Sequence, residues 1–417
     1  MKKDLLFAKL PKDTAEAVIE AMEQFGTKTY EWLARLWDPE IGGFYYSNSG
    51  RDYEGFLPDI ESTCQALHQM KTYGMMDHVG CSLRRGLPEK MQKKILEFAI
   101  GLQDPDGNFY HPQWGKNITP SRRGRDFTWA KDIIRELGGE YKYPLVNEQI
   151  KNDENRKKEL PDYMKSKETM LAYLDSFDIM HRSYYMGNTV GSQMPELRAA
   201  GYFELCHQYY VDHQNPKNGL WQEDVCYHSV NGLMKISGMF MSAERGVFPN
   251  ADKAIDSAIE VMLSEEIPKA VVDFFNPWRA SGMILGSLRK GGMEDEAEKQ
   301  LNKIREVAPK LIRKTTEKMQ DFIKPDGSAS YFRHFTSSDS QGMPVALFRE
   351  PEGDVNATGL TMAGAIKRPL ETLGVDFVGL YDEKDFERFL EIIESQKAPV
   401  KKPRPPKEVL EARKNNN

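Results

Sequence analysis

Gln103-Asp-Pro-Asp-Gly-Asn-Phe109 and Gln214-Asn-Pro-Lys-Asn-Gly-Leu-Trp221 are two versions of one loop, in which Pro and Gly make a turn and an aromatic residue follows it. Asp38-Pro-Glu-Ile-Gly-Gly-Phe44 and Lys324-Pro-Asp-Gly-Ser328 contain related turns. Gln103 and Gln214 are 111 residues apart, Gln214 and Lys324 are 110 apart, and Asn276-Pro-Trp278 lies about halfway along the second interval. A period of about 55 residues predicts a repeated helix-turn-helix unit.

Helix starts of one design follow these loops. Each has a residue that can cap a helix, then small residues that permit close helix packing, then apolar ones. The six starts are Asp59-Ile-Glu-Ser-Thr63, Asp126-Phe-Thr-Trp-Ala130, Asn188-Thr-Val-Gly-Ser192, Asp224-Val-Cys-Tyr-His-Ser229, Asn276-Pro-Trp-Arg-Ala-Ser-Gly282 and Asp354-Val-Asn-Ala-Thr-Gly359.

Amphipathic helices with charged faces alternate with these starts, at residues 13–37, 88–103, 194–213, 251–265, 293–322 and 383–396. The alternation predicts an all-α fold with two concentric layers, the charged helices outside and the capped helices inside. We expect a single (α/α)6 to (α/α)7 toroid over residues 1–397, with residues 166–185 as the candidate seventh pair or a cap.

Two segments do not fit the repeat. Residues 140–168 are rich in Lys, Glu and Asn, which predicts a charged, solvated insertion that could act as a lid. The tail, residues 398–417, is basic and rich in Pro, and it is predicted to be disordered because it cannot bury a core.

Composition restricts the function classes. The 417 residues are 40% hydrophobic and 29% charged, as in a globular protein, and the net charge of −6 argues against nucleic acid as a partner. Neither an apolar leader nor a membrane span is apparent, which predicts a cytoplasmic protein, or a secreted or periplasmic one whose leader was removed. The four cysteines lack paired close spacing, as expected of reduced, packed thiols.

The loops quoted above resemble those of the α/α-toroid superfamily, which contains terpenoid cyclases, protein prenyltransferases and toroidal polysaccharide lyases and hydrolases. The acidic Asp-x-Asp-Asp motif of hopene-type cyclases is absent. Glu223-Asp-Val-Cys-Tyr227 is similar to the Asp-x-Cys zinc half-site of prenyltransferases, but the inner helix from Asp354 offers no third His ligand. The alternative is that Asp224 caps a helix and Cys226 packs, so we predict neither metal nor cofactor.

Basic residues accumulate in the predicted mouth, where six helix N-termini would favour an anion. They are Arg122, Arg123, Arg125, Arg182, Arg279 and Arg333. Aromatic residues suited to stacking on sugar rings share these loops, including Tyr110, Trp114, Tyr184, Tyr185, Trp221, Trp278 and Tyr331. Together they predict an acidic oligosaccharide or polysaccharide as the ligand.

The resemblance to alginate, glucuronan and glycosaminoglycan lyases implies a metal-independent β-elimination on a uronate-containing substrate. His228 and Tyr331 are the candidate acid–base pair, with Arg279, Glu223 or Asn276 holding the carboxylate. Arg122 and Arg125 would bind the flanking sugars. The remaining candidate substrate-binding residues are His111, Gln113, Trp114, Tyr184, Asn188, Trp221, Asn276, Trp278, Arg333 and His334.

Three other functions remain open on the sequence. A glycoside hydrolase would need two opposed carboxylates, and Asp59, Glu61, Asp126, Glu223 and Asp354 are available. An isoprenoid enzyme would bind a diphosphate and need Mg²⁺ or Zn²⁺. A non-catalytic toroid would bind a partner. The sugar, its linkage and the oligomeric state are not predicted.

Overall fold

The computed structural model describes residues 2–152, 161–243, 247–377 and 379–413. It is mostly helical, with 62% helix and 5% strand, which confirms the all-α class. The helices of the first half are α1 Lys2–Lys9, α2 Lys12–Met22, α3 Thr27–Arg35, α4 Asn48–Asp52, α5 Ile60–Thr72, α6 Leu83–Gly86, α7 Glu89–Gly101, α8 Pro120–Glu136, α9 Val146–Asn152, α10 Lys167–Asp175, α11 Ile179–Ser192, α12 Met194–Ala200 and α13 Phe203–His213.

The second half continues with α14 Tyr227–Ser242, α15 Ala251–Leu263, α16 Val272–Lys290, α17 Glu294–Met319, α18 Val355–Met362, a π-helical turn Ala363–Lys367, α19 Arg368–Thr372, α20 Glu383–Ser395 and α21 Lys407–Ala412. Short 3-10 turns occupy Asp77–Val79, Asp162–Met164 and Gln320–Phe322. Two antiparallel hairpins complete the described elements, β1 Trp37–Asp38 with β2 Gly43–Phe44 and β3 Asp339–Ser340 with β4 Met343–Pro344.

Six helices rich in small residues pack side by side at the centre. Helix α5 packs on α8, α8 on α11, α11 on α14, α14 on α16, α16 on α18 and the π turn, and α18 packs on α5 again. The series of contacts therefore returns to its first member. Charged helices pack against members of this set: α7 lies on α8, and α15 and α17 lie on α16, while α2 lies in turn on α17.

Contacts at or near their starts join the central helices in three pairs. Arg122 near the start of α8 contacts Asp59 at the start of α5, and His228 on α14 lies 3.3 Å from the carbonyl oxygen of His181 on α11. The backbone nitrogen of Val271 before α16 donates to Tyr331, whose own nitrogen donates to Asp354 before α18.

Of the six predicted starts, two have the expected cap. Asp59 accepts from the nitrogen of Ser62, and Asp354 accepts from the nitrogen of Ala357. The other starts were placed too late or on the wrong residue. Thr119 caps α8 ahead of Pro120, α11 begins at Ile179, Cys226 is the N-cap of α14, and α16 begins at Val272. Asp126, Asn188 and Asn276 therefore lie inside helices rather than at their starts. The residues that precede each of them are already helical, and several of these are buried.

The tail differs from the predicted disorder over residues 398–413. Lys401 Nζ donates to the carbonyl oxygens of Gly50 and Phe56, and Arg404 donates to those of Glu54 and Gly55. Charged side chains thus attach the tail where apolar ones are scarce. Within the predicted insertion 140–168, residues 153–160 lie outside the described residues, and none of the others lines the central cavity.

Among the described residues, no helix is both long and apolar enough to cross a membrane.

Candidate functional site: a cationic cavity

A cavity of about 1320 Å³ is enclosed by the six central helices and the segment that carries hairpin β3–β4. Its lining includes seven Lys or Arg residues and two acidic ones, Glu61 and Asp339. The chain as a whole has a net charge of −6, so the cavity has the opposite sign to the rest of the protein. Its volume exceeds the ~300–1,000 Å³ typical of small-molecule pockets, which favours an extended ligand.

Tyr331 and Tyr184 form a hydrogen-bonded hydroxyl pair near the rim of the cavity. The backbone nitrogen of Tyr331 donates to the buried carboxylate of Asp354 over 3.1 Å, so the cap of α18 also fixes this tyrosine. Burial raises the pKa of Tyr331 well above its usual value, with repulsion from Tyr184 adding to the shift. Tyr331 is therefore a neutral proton donor at physiological pH.

Lys235 lies on α14, with its Nζ 5.2 Å from the centre of the Tyr184 ring. Burial lowers the pKa of Lys235 to about 7, and the charges of Arg125 and Arg279 lower it further. Lys235 forms no ion pair within the described parts of the chain. A substantial fraction of this amine is thus neutral near pH 7, as a general base requires.

Four cations succeed one another along the cavity wall: Arg125, Lys235, Arg279 and Arg368, here called the cation row. The repulsions that lower the pKa of Lys235 and of Arg279 come from their neighbours in this row. Among the described residues, only the end members have carboxylate partners, Arg125 with Glu61 and Arg368 with Glu371, each at 2.5 Å. The middle of the row has an excess of positive charge that an anionic ligand would neutralise.

Several buried polar atoms of the cavity wall lack a hydrogen-bond partner among the described residues. They are Gln65 Oε1, Gln69 Oε1, Trp129 Nε1, Asn276 Oδ1 and Arg279 Nε. Buried donors and acceptors are rarely left unsatisfied, because desolvating them costs free energy. Unpaired acceptors and donors in one cavity suit a ligand that carries both hydroxyl and anionic groups.

A buried ion cluster supports the rim beneath Glu61. Arg122 is fully buried and contacts Asp59 at 3.3 Å, Glu61 at 3.1 Å and Asp126. Burial opposes ionisation of Glu61, but Arg125 and Arg122 hold its pKa below the usual value. Burial raises the pKa of Asp126 to about 7, against the attraction of Arg122. Arg122 therefore positions Glu61 and Arg125, and it does not itself line the cavity.

The structure brings six of the predicted site residues to the cavity: Tyr331, Arg279, Arg125, Tyr184, Asn188 and Asn276. It leaves the other proposed catalytic residues, His228 and Glu223, exposed outside the lining. His228 precedes Lys235 by seven residues, so both lie on one helix face, but Lys235 is two turns or roughly 10 Å deeper. The predicted base, His228, thus lies on the same face of α14 as Lys235 but outside the cavity.

The remaining candidates lie away from the lining. Trp221 and Trp278 are fully buried in the core, with their Nε1 atoms bonded to Tyr210 and Thr315. The following four bind loop segments or a surface carboxylate: His111 to Pro58, Gln113 and Trp114 to Pro344, and Arg333 to Asp321. His334 is exposed. These aromatic and polar groups attach loops to the helices. In the sequence, a loop residue with this structural role looks the same as a loop residue that binds a ligand.

Sequence reasoning missed Lys235 and Arg368. Lys235 is the only Lys, Arg, Asp or Glu in α14, whose other residues are mostly apolar or small. A lone charge within a helix buried on most sides is a signal that could have found it, since such a charge needs a cavity or a partner. Arg368 follows the π-helical turn, which the sequence did not reveal.

The stretch Glu223–Tyr227, which is similar to a zinc half-site, leads into the start of α14. Cys226 is an N-cap whose thiol lies 3.6 Å from Ser229 Oγ, and Asp224 and His228 are exposed. Among the described residues, no three His, Cys, Asp or Glu side chains are grouped so that they could hold a metal ion.

Comparison of the chain with family models, with curated proteins and with solved structures finds no match, so its function has to be argued from the cavity.

Proposed function

We propose that the six central helices and their outer partners form an (α/α)6 toroid, and that its cavity catalyses β-elimination in an acidic, uronate-containing oligosaccharide. The observation that carries the proposal is the cation row, whose central members Lys235 and Arg279 have no carboxylate partner among the described residues. A row of positive charges beside tyrosines and unpaired amide oxygens matches a linear chain that bears a carboxylate and hydroxyls on each unit.

The reaction divides among residues of the cavity. Neutral Lys235 takes the proton from C5 of the uronate, the electron pair forms the C4–C5 double bond, and the C4–O bond breaks. Tyr331 donates its proton to the leaving oxygen, while Tyr184 stabilises the resulting phenolate by hydrogen bonding. Arg125, whose charge acts on Lys235, Tyr184 and Tyr331, neutralises the carboxylate, which acidifies the C5 proton. Asn276 Oδ1 accepts a hydrogen bond from a sugar hydroxyl.

This assignment keeps Tyr331 from the sequence prediction, replaces His228 by Lys235, and gives the carboxylate to Arg125 instead of Arg279. His228 at the rim can contact a sugar unit that projects from the cavity. The glycoside hydrolase is less favoured, because Asp59, Asp126 and Glu61 surround Arg122, Asp354 caps α18, and Glu223 lies outside the lining.

The test is the ultraviolet absorbance of the unsaturated product after incubation with alginate, glucuronan and glycosaminoglycans. We expect absorbance with one of these substrates, and its loss in Lys235→Gln and Tyr331→Phe. Lys253→Gln on the exposed side of α15 is the matched control, which should retain full activity. Release of reducing ends without ultraviolet absorbance would instead support a hydrolase.

A further inference from the structure

The end of the cavity remote from the tyrosine pair has a second group of cations, set around one aromatic ring. Arg279 Cζ lies 5.7 Å and Arg368 Cζ lies 5.5 Å from the centre of the Phe275 ring. Lys367 precedes Arg368 and also lines the cavity. We call Phe275, Arg279, Lys367 and Arg368 the Phe275 cluster.

The Phe275 cluster has more positive charge than its carboxylate can balance. Glu371 contacts both Lys367 and Arg368, each at 2.5 Å, and Arg279 has no ion pair within the described ranges. Burial lowers the pKa of Arg279 to about 10, and repulsion from Arg368 adds to the shift. The Nε atoms of Arg279 and Arg368 are buried and lack hydrogen-bond partners in the described part of the chain. Three cations and one carboxylate leave room for an anion.

The backbone is adapted to hold the cluster. Pro369 lacks the N–H that would continue the α-helical pattern, and the π turn Ala363–Lys367 lies directly before Arg368. A Cβ on Gly364 would come within 3.1 Å of Phe275 Cα, so glycine allows the π turn to approach α16 closely. This approach brings Arg368 to the ring that Arg279 also borders.

Arg368, the member of the cluster farthest from the rim, is distant from Tyr331. Val355 begins α18 at the rim, and Arg368 follows it by 13 residues, which corresponds to roughly 20 Å along a helix. One sugar unit cannot reach from Tyr331 to Arg368, whereas a short oligomer can.

We propose that the Phe275 cluster is a second anion-binding subsite, which takes the carboxylate or sulfate of a sugar unit separated from the unit that reacts at Tyr331. This inference rests on the proposed function and specifies its substrate as an oligomer with negative charge on several units. The two guanidinium groups bind the anion from either side, and the Phe275 ring supplies an apolar face for the sugar.

The first test measures equilibrium binding of tetraglucuronate and diglucuronate by calorimetry. Lys235→Gln serves as the background, so that no bond is broken during the titration. We expect Arg368→Gln to weaken tetramer binding about tenfold or more and to leave dimer binding unchanged. Arg305→Gln on α17, an exposed arginine paired with Glu298, is the control and should alter neither. Equal weakening of both ligands, or of neither, would overturn the subsite.

The second test needs no sugar. Sodium sulfate should raise the melting temperature of the wild-type protein above its value in sodium chloride of equal ionic strength. Since sulfate also stabilises folded proteins non-specifically, the extra shift should be smaller in Arg279→Gln than in the wild type and unchanged in Arg305→Gln. Sulfate protection without binding of any uronate would leave the subsite standing and remove the proposed function. Equal protection of wild type and Arg279→Gln would remove the subsite.

Discussion

At the scale of single residues, Lys235 is predicted to affect both stability and activity. Its ammonium group is desolvated and faces two other cations, and the described residues supply it with no counterion. A buried charge of this kind destabilises the folded state in the absence of a ligand. Activity and stability should therefore respond in opposite directions when it is removed.

Lys235→Met should stabilise the free protein at pH 7 by an amount on the order of a few kcal/mol. The folded-state pKa is about 7 and the unfolded value is 10.5, so between these values the unfolded chain binds more protons. The free energy of unfolding of the wild type therefore increases with pH between these two values. The stability difference between Lys235→Met and the wild type decreases towards pH 10.5. Urea denaturation at pH 7 and pH 10 measures this difference. An advantage that stayed constant with pH would contradict the lowered pKa.

The same group predicts the pH dependence of the elimination. The base must be neutral and the acid protonated, so kcat/KM should rise with pH and level off above about 7, while Tyr331 stays protonated. A pH–rate profile on the responsive polysaccharide tests this expectation. A rate that falls as pH rises from 6 to 8 would exclude Lys235 as the base.

Arg122 has a structural effect without touching the cavity. Its removal leaves Asp59, Glu61 and Asp126 buried without their shared cation. Arg122→Met should cost about 3–5 kcal/mol of unfolding free energy, as is usual for breaking a buried ion pair. Arg123→Met is the matched control, because Arg123 is partly exposed and lies 4.0 Å from Glu196. Similar losses in the two variants would contradict the role of the buried cluster.

At the scale of elements, the start of α18 joins helix capping to the site. Asp354 caps Ala357 and also accepts from Thr336 Oγ1 and from the nitrogen of Tyr331. Asp382 caps the outer helix α20 through Lys384 and Asp385 and has no part in the cavity. The two caps therefore separate the cost of losing a cap from the cost of misplacing Tyr331.

Asp354→Ala and Asp382→Ala should each lose roughly 0.5–2 kcal/mol of unfolding free energy from the cap. Only Asp354→Ala should also lose most of kcat, because Tyr331 is then no longer fixed. Thermal denaturation and turnover of both variants, assayed well below their melting temperatures, give the comparison. Equal retention of kcat would show that the cap does not position the tyrosine.

Hairpin β3–β4 lies over the rim and takes the place that was predicted for residues 140–168. Ser340 Oγ donates to Glu61, and Gln341 Oε1 accepts from Ser121 Oγ at 2.6 Å. These bonds attach the hairpin to the starts of α5 and α8. Asp339, Ser340 and Gln341 of this hairpin thereby form part of the cavity wall.

At the scale of the whole molecule, the tail joins distant parts of the chain. Lys402 pairs with Tyr53, Lys401 Nζ lies 4.1 Å from the centre of the Tyr45 ring, and Arg413 contacts Glu350. Truncation after residue 397 should lower the melting temperature by several degrees, since these contacts are lost together. Calorimetry of the truncated and full-length proteins tests this. An unchanged melting temperature would instead support the prediction that the tail is disordered.

The sequence by itself determined the helical class and the alternation of two kinds of helix. Spacing of turns, caps at Asp59 and Asp354, and amphipathic faces such as 294–319 are local properties, and each depends on neighbours within a few residues. The sequence also identified Tyr331, Arg279 and Asn276 as candidate site residues, because they adjoin recognisable loops or helix starts.

Only the tertiary structure decided depth, charge balance and pairing. Three features depend on residues that are far apart in the chain. They are the burial of Arg122 among three carboxylates, the position of His228 at the rim, and the shared cavity of Lys235 and Arg368. The burial of a charged group and its free energy depend on all the groups that surround it in three dimensions. A local sequence pattern does not contain that information.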